Sequence, residues 1–279
     1  MSLASRTLLL ASVFASLFLL IACEKTELKN SETVTVAVAS NFLLPMQALS
    51  RQYEEQSGIQ IKLSAGSSGK LYAQIVNGAP YDFFLSADQE KPMALEEGGW
   101  TAPNSRFTYA LGRLVLLSSG DEQIGLGSED QFDTEQIHRS VLEEIDAAGS
   151  LAIANPELAP YGAASIEVLR SLDLYESAKG NLVLGENIAQ AYQFVHTGNA
   201  QLGFVAFSQV KRNGNGVSNG GWVVPEKLHK AIRQDMVLLK KGENVEAAVA
   251  FYNWLKMDKA RELIQSFGYS LDTVEYDSE

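Results

Sequence analysis

The chain has 279 residues, 46% of them hydrophobic, and carries 34 Asp and Glu against 22 Lys and Arg, a formal net charge of −12. That length suits one large domain or two smaller lobes. The acidic balance argues against nucleic-acid binding, whose affinity comes from Lys and Arg neutralising phosphates. Its single cysteine, Cys23, excludes an internal disulfide and a thiolate metal site.

The N-terminus has the layout of a cleaved export leader. Arg6 supplies the positive charge, "TLLLASVFASLFLLIA" supplies the apolar run, and the run ends in "LIAC" at Cys23. This ending resembles the bacterial lipoprotein signal, in which the Cys is acylated and becomes the new N-terminus. Acylation accounts for an unpaired thiol in an exported chain. The alternative is an uncleaved anchoring helix, for which the run is short. Residues 1–23 are therefore read as leader and 24–32, "EKTELKNSE", as a polar tether. No later apolar run is long enough to span a membrane.

From residue 33 strands and helices alternate. "TVTVAVAS" is β-branched and alternating, which predicts a buried strand. "NFLLPMQALSRQYEEQSG" places Met46, Leu49 and Tyr53 at helical spacing and stops at Gly58. "IQIKLSAG" is a second strand, "SGKLYAQIVNG" a second helix, "YDFFLSAD" a third strand and "EKPMALEEGG" a third helix. "RFTYALGRLVLLSSG" is one extended apolar stretch that crosses into a second lobe. There "EDQFDTEQIHRSVLEEI" predicts a helix, "SLAIANPE" a strand, "APYGAASIEVLRSLDLYESA" a helix, "NLVLGENIAQAYQFVHTG" strand then helix, and "AQLGFVAFSQV" a strand. "QDMVLLKKG" is a return strand, and "VEAAVAFYNWLKMDKARELIQSFGY" a terminal helical pair. The reading is an α/β molecule of two hinged lobes, each a doubly wound, mostly parallel sheet flanked by helices. Residues 33–112 and 235–279 form lobe 1, and 113–234 form lobe 2.

In such sheets ligands sit beyond the carboxyl ends of the strands. Ser40 and Asn41 end the first strand, and the Gly/Ser turn "SAGSSGKL" follows the second. The turn is not a nucleotide loop. Five residues before Gly69 stands Ser64 rather than Gly, and Leu71 replaces the Mg²⁺-binding hydroxyl. Two readings stay open: an anion seat built from hydroxyls and helix-opening N–H groups, or plain turn and cap chemistry. Lys70 is read as solvent-facing. Tyr161-Gly162 and Asn187-Ile188 open helices in the second lobe in the same way.

Motifs for catalysis are missing. His138, His196 and His229 are far apart, with no zinc spacing and no nucleophile elbow, and acid pairs such as Glu96-Glu97 read as solvated helix faces. The expectation is a binding protein without enzyme activity, cofactor or directly ligated metal cation.

The blocks "VAVASNF", "GSSGKLYAQIVNGAPYDFFLSAD", "SRFTYALGRLVL", "IANPELAPYGAAS" and "LGFVAFSQV" run in order along the chain. Together they resemble the molybdate-binding proteins of ABC importers. The resemblance implies a two-lobed type II periplasmic-binding-protein fold with a dehydrated tetrahedral oxyanion, molybdate or tungstate, between the lobes. It implies that Ser40 and Ser68 give hydroxyl donors, that Asn41 follows the first of them, and that Tyr161 and Ile188 donate main-chain N–H groups. One branch of the family has a donating Tyr where this chain has Ala206, so the likeness is to the branch with Asn after Ser or Thr. It also implies a membrane permease and its ATPase as partners, a monomer, and an exported location, with Cys23 as lipid anchor. A binding protein or sensor module for another oxyanion, such as sulfate, is the alternative.

Overall fold

A computed structural model describes residues 33–120, 124, 134–211, 217 and 221–271. The leader with Cys23 and the tether lie outside the described residues. Strand β1 (Thr33–Ala39) leads through a 3-10 turn (Ser40–Phe42) into α1 (Leu43–Ser57), which ends at Gly58 in the left-handed conformation, φ 74°. Then follow β2 (Gln60–Gly66), α2 (Ser68–Val76), β3 (Phe83–Leu85), α3 (Glu90–Glu97) and β4 (Phe107–Gly112). After these come β5 (Leu114–Ser118), α4 (Thr134–Ala148), β6 (Leu151–Ala154), α5 (Pro160–Ser171), α6 (Tyr175–Ala178), β7 (Leu182–Gly185) and α7 (Ile188–His196). The chain closes with β8 (Leu202–Ala206), α8 (Phe207–Val210), β9 (Trp222–Val223), β10 (Ile232–Leu238), α9 (Glu246–Trp254) and α10 (Asp258–Ser266).

Two five-stranded sheets form, in the orders β2-β1-β3-β10-β4 and β7-β6-β8-β5-β9. The first is parallel except for β10, which runs antiparallel between β3 and β4. In the second, β7, β6 and β8 are parallel and β5 is antiparallel to β8 and β9. Each sheet is thus mostly parallel and flanked by helices, as the alternating pattern predicts.

Three readings are corrected. The single stretch over 106–120 is two strands in different sheets, joined at Arg113. The end of "AQLGFVAFSQV" is helical from Phe207, because the strand stops at Ala206. The return strand read as "QDMVLLKKG" begins two residues earlier, at Ile232, and ends at Leu238, with Ile232 paired to Gly112.

Alternation along β1 builds two layers of core. Val34, Val36 and Val38 pack with Phe42, Met46 and Leu49, and with Phe251 and Trp254 of the C-terminal helices. Ala37 faces the other way, toward Leu71 and Ile75 of α2 and Leu95 of α3. Tyr53 stacks on Phe251 with ring centroids 4.5 Å apart, which ties α9 back to α1. The second sheet buries Leu116, Ile153 and Phe204 against Val141, Leu169 and Val195 of its helices. Both faces of each sheet are covered, so only the strand ends and the loops beyond them are left for ligands.

Candidate functional site

Parallel pairing sets the first half of the site. Ala39 of β1 is the register partner of Gly66 of β2, so the turns carrying Ser40 and Ser68 leave adjacent strand ends. Ser40 is half-buried, whereas Asn41 and Ser68 are 3% and 1% exposed. The Ser68 hydroxyl oxygen accepts the Ala87 N–H at 2.9 Å. Accepting that bond leaves its own proton to be donated elsewhere. In the same turn Ser67 sits at the N-cap of α2 without capping it, and its buried Oγ has no hydrogen-bond partner.

The helix openings leave main-chain donors without an acceptor in their own helix. In α2, Gly69 N–H goes to Leu158 O and Leu71 N–H to Ser67 O, and Ser68 N–H has no acceptor within the helix. In α5, Pro160 has no N–H, and Gly162 and Ala163 both bond back to Ala159 O, so the first-turn donor left over is Tyr161. In α7, the Asn187 side chain caps Ala189 and Gln190 at 3.0 and 3.2 Å, which leaves Ile188 at the first helical position uncapped. The positive ends of these helix dipoles add to the attraction for an anion.

Asn41 contributes differently from a ligating side chain. Its amide donates to Gln234 Oε1 at 2.8 Å and to Tyr269 Oη at 3.0 Å, so both protons are committed to protein groups. What it can offer an anion is its main-chain N–H. Its carbonyl accepts from Tyr269 Oη at 2.9 Å and from Ser208 Oγ at 3.1 Å. Tyr161 is 1% exposed, and its hydroxyl accepts from Gln234 Nε2 at 3.3 Å. Burial pushes the Tyr109 and Tyr161 phenols well above their ordinary value and Tyr269 up to about 12. All three are therefore neutral hydroxyls under physiological conditions. Ala206 is buried, and its N–H donates to Gln209 Oε1 at 2.9 Å. The phenol near this corner is Tyr269, 3.0 Å from Ser208 Oγ.

The two lobes touch around these residues. Gly69 N–H donates to Leu158 O at 2.9 Å, and a Cβ on Gly69 would stand only 3.1 Å from that oxygen. Gln209 Nε2 reaches Ile188 O at 3.3 Å, and Ser208 beside it reaches Asn41 O. Lys70 does not simply face solvent. Its ammonium pairs with Glu186 at 2.9 Å, across from one lobe to the other, with side chains 50% and 38% exposed.

Sequence reasoning did not single out Gln234, Tyr109, Tyr269 or Ser208. The one local signal is the polar run Arg233-Gln234-Asp235 between the apolar ends of β10.

A cavity of about 280 Å³ opens elsewhere between the lobes, bordered by Asp88, Lys91, Pro160, Glu167 and Arg233. None of Ser40, Asn41, Ser68, Tyr161 or Ile188 lines it. The histidines are engaged separately: His196 stacks on Tyr192 and His229 Nδ1 lies 2.7 Å from Lys230 O. Among the described residues no group of three His, Cys, Asp or Glu could hold a metal ion, and no helix is long and apolar enough to cross a membrane.

Comparison with known proteins places the chain in a family. The chain is 47% identical over 238 residues to the molybdate-binding protein ModA of Azotobacter vinelandii, covering 85% of this chain and 90% of that protein. It is 42% identical over 236 residues to ModA of Rhodobacter capsulatus, covering 85% and 87%. The solved periplasmic molybdate-binding protein of Azotobacter vinelandii superposes with a TM-score of 0.76 at 36% identity, over 86% of this chain and 99% of that one. These relatives are solute-binding proteins, not enzymes. Residues 34–270 match the family of bacterial extracellular solute-binding proteins, and the chain belongs to that family.

Proposed function

We propose that this protein captures molybdate or tungstate between its lobes and delivers it to the permease of an ABC importer, whose partner ATPase uses ATP. The observation that carries the reading is the donor-only character of the site. Three helix openings leave free N–H groups, among them those of Ser68, Tyr161 and Ile188, and the Ser68 hydroxyl is set to donate. The unpartnered Ser67 hydroxyl in the same turn and the half-buried Ser40 add to it. A fully deprotonated dianion only accepts hydrogen bonds. Donors to a charged acceptor are worth roughly 1.5–3 kcal/mol each, so several offset its dehydration. Monohydrogen phosphate would need an acceptor as well. The names of the relatives point to the same ligand.

In this reading residues 33–112 with the C-terminal segment move as one lobe and the intervening segment as the other, closing by a hinge. The protein works as a monomer outside the cytoplasm, held to a membrane through acylated Cys23. Calorimetric titration of the purified protein with molybdate, tungstate, sulfate and phosphate tests it. Tight one-to-one binding of molybdate or tungstate, with sulfate and phosphate weak, is expected. Preference for sulfate or phosphate would reject the ligand, and silence toward all four would reject the site. Mass spectrometry of the membrane fraction checks the acylated N-terminus.

A further inference from the structure

Gln234 is wholly buried on β10, the strand by which the chain re-enters the first sheet. Its Oε1 lies 2.8 Å from Asn41 Nδ2 and 3.0 Å from Tyr109 Oη, and its Nε2 lies 3.3 Å from Tyr161 Oη. One amide therefore bonds the ligand turn after β1 and the helix opening of α5, which belong to different lobes. The reverse amide orientation would set its NH₂ against the NH₂ of Asn41. Gly112, beside it on β4, makes room: a Cβ there would stand 2.1 Å from Tyr161 Oη and 2.6 Å from Gln234 Nε2.

The groups hydrogen-bonded to this amide are all neutral. Tyr109, Tyr161 and Tyr269 are protonated phenols, raised by burial. Asp235, next in the strand, is held by Arg106 at 3.0 Å, by Thr108 at 2.6 Å and by Gln89. Asp88 is paired with Lys91 at 3.1 Å. No carboxylate takes part in the hydrogen-bonded ring of Asn41, Gln234, Tyr109, Tyr161 and Tyr269.

We propose that Gln234 is a positioning and specificity-determining residue: it registers the Asn41 and Tyr161 main-chain donors across the two lobes and keeps the floor of the site uncharged. This rests on the oxyanion reading above. A carboxylate at 234 would nearly keep the shape but place a negative charge in the ring. A buried carboxyl beside a bound dianion has a raised pKa, so its charge is lost as pH falls.

The test is molybdate binding by wild type, Gln234→Glu and Gln234→Met between pH 6 and pH 9, with melting temperature recorded for each. Wild type is expected to be flat with pH. Gln234→Glu should bind about tenfold or more weakly at the alkaline end and recover toward acid. Gln234→Met should bind more weakly at every pH, through faster release. Wild-type affinity and a flat profile in Gln234→Glu would overturn the proposal. If that variant does not fold, Gln234→Met decides, and an unchanged release rate would overturn it. Failure of wild type to bind any oxyanion would instead reject the oxyanion reading itself.

Discussion

The Gly69 N–H and the Leu158 carbonyl are hydrogen-bonded at 2.9 Å from opposite sides of the cleft. The glycine permits the contact, because a Cβ would come within 3.1 Å of Leu158 O and 3.2 Å of its Cα. Gly69→Ala should therefore hold the lobes apart. A crowding cost of about 1–3 kcal/mol falls on the closed state, a loss of roughly tenfold or more in anion affinity. Because the strain is relieved by opening, the melting temperature without ligand should barely move. Titration and thermal melting of the same sample distinguish these effects.

Ser68 and Ser40 should behave differently when cut to alanine. On the proposed reading Ser68→Ala removes a donor to the anion, and it also orphans the Ala87 N–H. It should cost about 1–3 kcal/mol in binding and lower stability as well. Ser40 Oγ has no protein partner among the described residues, so Ser40→Ala should weaken binding alone. Equal losses of stability in both variants would count against this assignment.

Lys70 and Glu186 close the rim as an ion pair in contact with water. Exposed pairs are worth under about 1 kcal/mol and are screened by salt. Glu186→Gln should thus raise the release rate only a few-fold at low salt, and the difference from wild type should vanish near molar salt. Stopped-flow release at two ionic strengths measures it.

Asp235 is fully buried and depends on Arg106 for its counter-charge. Removing one partner of a buried pair leaves an uncompensated charge. Arg106→Leu should cost about 3 kcal/mol of stability, even though Arg106 itself is one-third exposed. Chemical denaturation compares it with wild type, and a change under about 1 kcal/mol would show that Thr108 and Gln89 suffice.

Alkali should weaken the fold through the tyrosine cluster. Tyr269 holds its proton to about 12, against an ordinary 10.0, and Tyr109 and Tyr161 are also raised. Above pH 10 the unfolded chain releases protons that the folded one keeps, so stability falls from there until the folded phenols ionise. Tyr269→Phe should flatten part of that slope in urea titrations at pH 8, 10 and 11.

The parts of this molecule that were legible in sequence are the local ones. Strand β1 announces itself by alternation, α1 by Met46, Leu49 and Tyr53, and the turns carrying Ser40 and Ser68 by their place after strands. The sequence reading divides the chain at 112/113, but the break into two separate strands there was not legible, because β4 and β5 are both apolar and only the sheet each joins separates them. The two-residue β9 exists only through pairing with β5. The residues bonded to Gln234 lie 73 to 193 positions from it, and no local pattern encodes such distances. The sequence likewise leaves open which donor Asn41 uses, because that depends on Tyr269, 228 residues away.

Strand β10 lies between β3 and β4, although both precede it in the chain by more than a hundred residues. The strands of the second sheet are contiguous in the chain, from Leu114 to Val223, and none has to wait for this late arrival. Assembly therefore has a built-in order during vectorial synthesis or export. The first sheet keeps a central gap until the chain beyond residue 232 has emerged. Gln234 travels on that last strand, so a truncated or half-translocated chain has the ligand turns but not the amide that bonds Asn41 and Tyr161. On the proposed reading, binding competence is thus a late checkpoint, reached only when the chain from Ile232 onward is in place.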